Sequence, residues 1–195
     1  MTSVVIEGID LAGKSSIARA LADLITPVTV IESPQPQFRA LLQTATPSLS
    51  PMGRLALYIS ANIELGRYFR DPASLIAVRY FPSTITYHAV ANQEPATDCM
   101  RELDYLISRC TLPDAMIIVE ASHQDRLKRA TETASPLTES DNWTLRSDIH
   151  ARLTESYHEI AESLNLPSLF LDTTGQRSFS MAEVAFEWLR SLGLA

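Results

Sequence analysis

Short apolar segments recur along this chain, and longer amphipathic stretches separate them. Each segment is a nearly continuous run of β-branched or other aliphatic residues, which is typical of a strand buried on both faces of a sheet. The segments lie at residues 3–6, 28–31, 74–78, 115–119 and 168–172. Because strands and helices alternate, the pattern predicts an α/β three-layer sandwich, with a five-stranded parallel sheet covered by helices.

The stretches between these segments repeat apolar residues every three or four positions, which predicts helices. The predicted helices cover residues 15–24, 54–69, 82–91, 99–109, 123–132 and 181–192, with one more from about residue 38 and a long one from Trp143 to Leu164. The polar stretch TASPLTESDN, residues 133–142, predicts a loop. Since the sequence contains neither a repeat nor a low-complexity linker, we expect residues 1–195 to form a single domain.

Charge and composition argue against some kinds of partner and favour one cellular compartment. The formal net charge is −7, which argues against a broad electrostatic contact with a nucleic acid polymer. The apolar runs are shorter than the roughly 18 residues of a membrane span, and the first residues lack a secretory signal pattern. The two cysteines, Cys99 and Cys110, suit a reducing compartment. We therefore expect a cytoplasmic protein without membrane or nucleic acid polymer partners.

One strand-to-helix connection carries a specific motif. Its sequence GIDLAGKS, residues 8–15, fits G-x-x-x-x-G-K-[ST] at every fixed position. The glycines allow backbone N–H groups to converge on phosphate oxygens, and the helix start adds partial positive charge. In such a loop the lysine reaches the β- and γ-phosphates and the serine hydroxyl binds Mg²⁺. The predicted triphosphate contacts are Gly8, Ile9, Asp10, Leu11, Ala12, Gly13, Lys14, Ser15 and Ser16.

Further segments, in the same order, resemble the thymidylate kinase family of nucleoside monophosphate kinases. They are LYISANIE at residues 57–64, VRYFPSTITYHA at 78–89 and LPDAMIIVEASHQDRLKR at 112–129, together with VVIEGIDLAGKSS and its Asp10. The resemblance implies a P-loop NTPase fold, ATP and Mg²⁺ as the donor pair, and phosphoryl transfer to a nucleotide. Because the family often dimerises through the helix matching residues 51–69, it also implies a homodimer.

The resemblance assigns four residues to the acceptor side. Arg79 looks like the family arginine that approaches the acceptor and the transferring phosphates. Tyr80, Ser83 and Tyr87 would line the acceptor pocket. A planar guanidinium suits the role given to Arg79, because it can bind two phosphate oxygens at once.

Other residues are expected to act on the moving phosphoryl group and its metal. Lys14 would neutralise the charge that develops during transfer, and Asp10 would face the acceptor sugar or the metal shell. Arg129 looks like the arginine that opens the mobile lid of the family, here about residues 130–142. Glu120 ends the fourth strand and would reach the metal through water. The expected metal contacts are therefore Ser15 and Glu120.

The acceptor half departs from the family pattern. Val78 stands where the family has an aspartate before the arginine. Ile59 matches the aromatic residue that stacks on the acceptor base, and Ile63 matches the arginine that holds the acceptor phosphate. An isoleucine cannot pair with a phosphate dianion. The lid stretch TASPLTESDN also lacks arginine.

Three functions remain open at this point. The first is transfer to a nucleoside monophosphate, dTMP-like, whose phosphate would be held by Arg79 with Arg39 or Arg67. The second is transfer to the hydroxyl of a nucleoside or another small alcohol. Glu32 would then orient or deprotonate the hydroxyl, since related deoxynucleoside kinases keep a general base at this strand end. The third is a non-catalytic ATP-binding module with an eroded acceptor site.

Overall fold

The computed structural model describes residues 2–70, 73–134 and 136–195, with the side chain of Pro47 left out. Five strands form one parallel sheet in the order β2-β3-β1-β4-β5. They are β1 (Ser3–Glu7), β2 (Val28–Glu32), β3 (Ser74–Val78), β4 (Ala115–Glu120) and β5 (Ser168–Asp172). The predicted five-stranded parallel sheet is confirmed, and each strand lies within one residue of its predicted bounds.

The central strands are the most buried because helices cover both of their faces. β1 is buried along its whole length, and in the register Val5 lies between Ala77 of β3 and Met116 of β4. β2 and β5 form the edges and leave part of their side chains exposed. Successive side chains of a strand point to opposite faces of the sheet, so a continuous apolar run packs against the helices on both faces.

Ten α-helices follow or separate the strands in the described part of the chain. They are α1 (Lys14–Leu24), α2 (Pro36–Ala45), α3 (Pro51–Gly66), α4 (Phe81–Asn92), α5 (Ala96–Glu102), α6 (Asp104–Ile107), α7 (His123–Glu132), α8 (Glu139–Thr144), α9 (Ser147–Leu164) and α10 (Ser178–Ser191). Short 3₁₀ turns cover Thr46–Ser48 and Arg67–Arg70. None of the helices so described is long and apolar enough to cross a membrane.

The helices pack in two layers. α1 and α10 lie together on one face of the sheet, where Ile17, Leu21 and Leu189 join its core. α3, α4 and α9 lie on the other face, with Ile85 and Tyr157 among their buried residues. This arrangement holds the start of α1 and the start of α4 at the same end of the sheet.

Three secondary-structure predictions were wrong in detail. Residues 133–142 were expected to form a loop, but α8 begins at Glu139, because Thr138 and Asp141 form a capping box. Trp143 therefore belongs to α8, and the long helix α9 begins only at Ser147. The helix expected at residues 99–109 consists of two short helices that break at Leu103.

Candidate active site

The carboxyl ends of the strands enclose a cavity beside β1. In the strand order β2-β3-β1-β4-β5, β2 and β3 lie to one side of β1, and β4 and β5 lie to the other. The strand order therefore changes direction at β1. Such positions are where open α/β sheets bind ligands. The cavity has a volume of about 250 Å³, and its lining residues are Asp10, Leu11, Gly13, Lys14, Ser15, Ser16, Glu32, Ser33, Val78 and Arg79.

Positive φ angles shape the loop between β1 and α1. Gly8 has φ 129°, and a Cβ atom there would lie 2.1 Å from the carbonyl oxygen of Val119. Gly13, directly before α1, has φ 103°. Leu11 also adopts a positive φ, 65°, which costs a non-glycine residue free energy and is common at ligand-binding loops. Glycine is required at position 8 by the close approach of β4.

Lys14 is the first residue of α1, and its ammonium group lies over the loop. Its Nζ donates a hydrogen bond to the carbonyl oxygen of Ile9 at 2.7 Å and lies 4.0 Å from the carboxylate of Asp10. Burial, together with the nearby charge of Arg79, lowers the pKa of Lys14 to about 7. At neutral pH, before an anion enters the cavity, this group is therefore charged in only part of the molecules.

Asp10, Arg79 and Tyr87 form one polar cluster at the cavity wall. Asp10 forms an ion pair with Arg79 and accepts a hydrogen bond from the Tyr87 hydroxyl at 2.9 Å. Arg79 donates to the Tyr87 oxygen at 3.2 Å, and its guanidinium lies 5.0 Å from the ring centroid. Burial alone would raise the pKa of Asp10, but the charges of Arg79 and Lys14 outweigh it and lower that pKa to about 2. The sequence prediction had named each of these residues, and the structure brings them together.

The backbone holds Arg79 at the junction of β3 and α4. Its φ is 68°, and its N–H donates to the carbonyl oxygen of Ile6 in the neighbouring strand at 2.9 Å. Its Nη1 donates to the Ser83 hydroxyl at 3.0 Å. Burial opposes the charged form, but Asp10 raises the pKa of Arg79 well above its usual value. The guanidinium is therefore fixed in position and remains charged.

Glu7, which the sequence analysis did not single out, lies beneath this cluster. Its fully buried carboxyl group accepts hydrogen bonds from the Tyr80 backbone N–H at 2.8 Å and from the Ser83 hydroxyl. The Tyr157 hydroxyl lies 2.8 Å from Ser83 and donates to the Gly8 carbonyl at 3.2 Å. Burial raises the pKa of Glu7 to about 7. The group thus links the P-loop to the start of α4 rather than contacting the cavity directly.

Tyr80 has a structural position that differs from its prediction. It was expected to line the acceptor pocket, but its side chain is buried in the core, where its ring makes edge contacts with Phe69 and Phe81. Its hydroxyl donates to the carbonyl oxygen of Thr111 at 3.1 Å. Tyr80 serves the site through its backbone, whose N–H holds Glu7.

Arg129 lies under the P-loop. Its guanidinium donates to the carbonyl oxygen of Ala12 at 2.8 Å and to that of Thr173 at 2.8 Å, and it pairs with Asp125. In these contacts the guanidinium is bound to carbonyl oxygens of the protein. Its role at the transferring phosphoryl group stays a prediction. Residue 135 of the lid-like segment 130–142 lies outside the described residues.

Arg126, one helical turn before Arg129, is the buried arginine that sequence reasoning missed. Its Nε donates to the carbonyl oxygen of Asp10 at 2.7 Å, and its Nη atoms donate to the carbonyl and hydroxyl oxygens of Thr144, both at 2.9 Å. Its Nη1 also lies 2.9 Å from Nδ1 of His150. Burial and the Arg126 charge lower the pKa of His150, so the ring accepts this hydrogen bond. Arg126 therefore ties the P-loop to α8 and α9.

The two expected metal contacts lie in different places. Ser15 lines the cavity, beside Ser16. The carboxylate of Glu120 accepts a hydrogen bond from Nε2 of His158 at 2.9 Å, and the His158 ring stacks on Phe170. This contact turns Glu120 towards α9 and β5, so a metal contact of Glu120 stays a prediction that the geometry does not favour.

The acceptor wall carries the substitutions noted in the sequence. Ile59 is buried and Ile63 is half-buried, and both pack into the core beneath α3. Tyr58, the neighbour of Ile59, is partly exposed. Burial raises the pKa of Tyr58, while the charges of Arg79 and Arg54 act in the opposite direction. Its hydroxyl therefore lies within electrostatic reach of Arg79 and is a candidate acceptor contact.

The sheet, the P-loop and the buried lysine define an α/β protein of the P-loop class. The fold is similar to that of thymidylate kinase from Candida albicans, an enzyme of broad substrate specificity, with a TM-score of 0.78, 18% identity, and coverage of 98% of this chain and 92% of that chain. A family model, thymidylate kinase, matches residues 6–178. The chain therefore belongs to the thymidylate kinase family and is a nucleotide kinase. A comparison with curated protein sequences gives no match.

Proposed function

We propose that this nucleotide kinase transfers the γ-phosphoryl group of ATP, bound with Mg²⁺, to a nucleoside monophosphate such as dTMP. The observation that carries the proposal is one cavity lined by both Lys14 of the P-loop and Arg79, which directly follows β3. An acceptor phosphate oxygen forms a bond to the γ-phosphorus, the bond from that phosphorus to the bridging oxygen breaks, and ADP leaves. Cations on both sides of the moving group stabilise its negative charge.

The donor side fits a triphosphate and its metal. Loop residues and the start of α1 line the cavity, a place where helix starts favour bound anions, and Lys14 adds an ammonium group. Ser15 offers a hydroxyl, which is an oxygen ligand of the kind Mg²⁺ takes. Mg²⁺ bound there would reduce the negative charge of the phosphates. An incoming phosphate would also compensate for the loss of the Lys14 contact to Ile9.

Arg79 and Asp10 are arranged to act on the moving phosphoryl group. Their ion pair fixes the guanidinium before the substrate arrives, so little reorganisation is needed in the transition state. Tyr87 holds both partners through its hydroxyl. Asp10 remains ionised over the physiological pH range, because its pKa is about 2. Its carboxylate can therefore accept a hydrogen bond from an acceptor sugar hydroxyl.

The acceptor phosphate needs a cation in place of the one lost at Ile63. Arg54, Tyr58 and Asn62 are four residues apart on α3, so they form one stripe along the helix. Asn62 lies 3.4 Å from the Ser33 hydroxyl, and Ser33 lines the cavity, so one end of the stripe lies beside the cavity. Arg54 is the cation that this stripe carries. We therefore include Arg54 and Tyr58 in the proposed acceptor site.

An ADP-release assay tests the proposal. ATP and Mg²⁺ would be supplied with a panel of nucleoside monophosphates and nucleosides, and the wild-type chain would be compared with Lys14→Met and Lys128→Met. Lys128 is the matched control, since it is 70% exposed on α7 and lies near Glu132. We expect release with dTMP or a related monophosphate, a loss of about 10³-fold in Lys14→Met, and little change in Lys128→Met. Turnover of Lys14→Met within about tenfold of wild type would refute the catalytic role of the loop.

A second function is favoured by one further observation. Glu32 ends β2 and lines the same cavity, where it lies 3.7 Å from Arg39. A carboxylate at this place could take the proton of an attacking hydroxyl. If nucleosides but not monophosphates are turned over, and Glu32→Gln loses that activity while ATP affinity is kept, the acceptor is a hydroxyl. Triphosphate binding without turnover on the whole panel would instead support a non-catalytic module.

Homodimer formation through residues 51–69 stays part of the proposal. α3 covers most of this range and exposes Met52, which is 54% accessible. Sedimentation velocity of the wild-type chain would test it, and a single monomer species at micromolar concentration would contradict it.

A further inference from the structure

A second cluster of ligand-type side chains lies outside the cavity, where α4 turns into α5. His88 is in the last turns of α4, Glu94 is in the connection, and Cys99 is in α5. A ring nitrogen of His88, a carboxylate oxygen of Glu94 and the Sγ of Cys99 all lie within 4.8 Å of one another. From these atoms we infer that the chain carries a site for one Zn²⁺ ion, held by His88, Glu94 and Cys99.

The donor set suits zinc. Imidazole nitrogen, thiolate sulfur and carboxylate oxygen are the three ligand types that Zn²⁺ takes in proteins, at about 2.0–2.3 Å. In a tetrahedron with such bonds, the ligand atoms are about 3.3–3.8 Å apart. His88 and Glu94 are 3.8 Å apart, so small side-chain movements would bring the three ligands to these separations. Softer ligands such as sulfur also make Mg²⁺ or Ca²⁺ a poor fit.

The backbone around the cluster is ordered by its own hydrogen bonds. Gln93 ends α4 in a left-handed conformation, and the N–H of Glu94 donates to the Ala89 carbonyl at 3.0 Å. The N–H of Ala96, at the start of α5, donates to the carboxylate of Glu159 at 3.1 Å. His88 of α4, Glu94 of the connection and Cys99 of α5 are therefore held on an ordered backbone, which keeps their separation small before any ion binds.

The three ligands differ in how deeply they are buried. Cys99 is 2% exposed, whereas Glu94 and His88 are half-buried and leave the site open to solvent on one side. Burial raises the pKa of the Cys99 thiol to about 12 and lowers the pKa of His88, while the charges of Glu94 and Glu102 act to raise both. Water would complete the fourth position. The Cys99 thiol proton is released to solvent as the sulfur binds the ion.

The site would fasten α4 to α5. α4 also carries Ser83 and Tyr87, which contact Arg79. Tyr87, which contacts Arg79, and His88, which belongs to the proposed zinc site, are adjacent residues in the same turn of α4. Zinc would therefore stabilise the helix that positions the active-site arginine, without touching the substrate.

The test is metal binding by the full chain after treatment with a chelator. Zinc would be titrated against a chromophoric competitor, and cobalt would be added separately to record absorption. We expect one equivalent of zinc and a sulfur-to-cobalt charge-transfer band. Cys99→Ser and His88→Gln should each weaken zinc binding by at least about tenfold, and Cys99→Ser should remove the band.

Cys110→Ser is the matched control. Cys110 is also buried, but its sulfur lies near the Leu106 carbonyl, away from the cluster. It should keep both the stoichiometry and the cobalt band. Absence of stoichiometric zinc binding, or binding that survives both Cys99→Ser and His88→Gln, would overturn the inference. Circular dichroism would establish that each variant is folded. If Cys99→Ser does not fold, His88→Gln still decides the test.

Discussion

Replacement of Glu7 by glutamine should make the protein more stable at neutral and alkaline pH. Glu7 is fully buried, and its pKa is raised from 4.5 to about 7, mainly by burial. In the unfolded chain the carboxyl group loses its proton at lower pH than in the folded chain. The folded state therefore binds more protons between the two pKa values, and its stability falls as the pH rises through this window.

The size of the effect follows from the width of the window. Each pKa unit corresponds to about 1.4 kcal/mol. A shift of about 2.5 units, from 4.5 to about 7, gives a loss on the order of 3 kcal/mol in the wild-type chain. Glutamine resembles the protonated acid in shape, and its amide oxygen can still accept from the Tyr80 N–H, as Glu7 does at 2.8 Å. The variant should lack this pH-dependent loss.

Urea denaturation at several pH values measures the difference directly. The free energies of unfolding of the wild-type chain and Glu7→Gln should be similar, or favour the wild type, near pH 4.5, and then diverge by up to about 3 kcal/mol in favour of the variant above pH 7. Glu162→Gln, at an exposed position of α9, serves as the control and should follow the wild type. A stability difference between Glu7→Gln and wild type that stays constant over this range would refute the argument.

Three further substitutions address the loop and its arginines. Gly8→Ala should cost several kcal/mol in urea denaturation because the new Cβ meets a carbonyl oxygen at 2.1 Å, whereas Gly175→Ala, at φ 66° in open space, should cost about 1 kcal/mol. Arg126→Met should destabilise the fold by about 3 kcal/mol, because it leaves buried acceptors unpaired. The exposed Arg101→Met should leave that free energy unchanged. Arg79→Lys should lower kcat about 10²-fold with ATP affinity kept, since lysine lacks the planar group whose two nitrogens donate to Ser83 and Tyr87, and wild-type kcat in this variant would contradict the role given to the guanidinium.

The sheet and the phosphate loop could be predicted because local sequence determines them. A run such as AMIIV has no helical period, and burial on both faces of a parallel sheet is the structure that suits it. The loop motif fixes residue types at short spacing, so its position required no knowledge of tertiary contacts. The family resemblance assigned both Asp10 and Arg79, which are 69 residues apart, to the site, but the ion pair between them was not predicted.

Other features depend on contacts that the sequence does not reveal. Glu7 reads as the polar end of a strand, and only the folded chain shows that α4 covers it. Arg126 and Arg129 lie one turn apart on α7, and the rotation of that helix decides which of them reaches Asp10. α8 was missed because its capping box uses Asp141, whereas the common pattern has glutamate or glutamine at that position.

The buried lysine has a consequence for how the protein exchanges protons with its surroundings. Because the pKa of Lys14 is about 7 in the free chain, part of the population carries no charge there at neutral pH. Phosphate oxygens placed beside Nζ would restore the full charge, so binding should draw a proton from the buffer. The heat of nucleotide binding above pH 7 would then change with the ionisation enthalpy of the buffer. The affinity would fall as the pH rises, so the proton acts as a second ligand that binds together with the nucleotide.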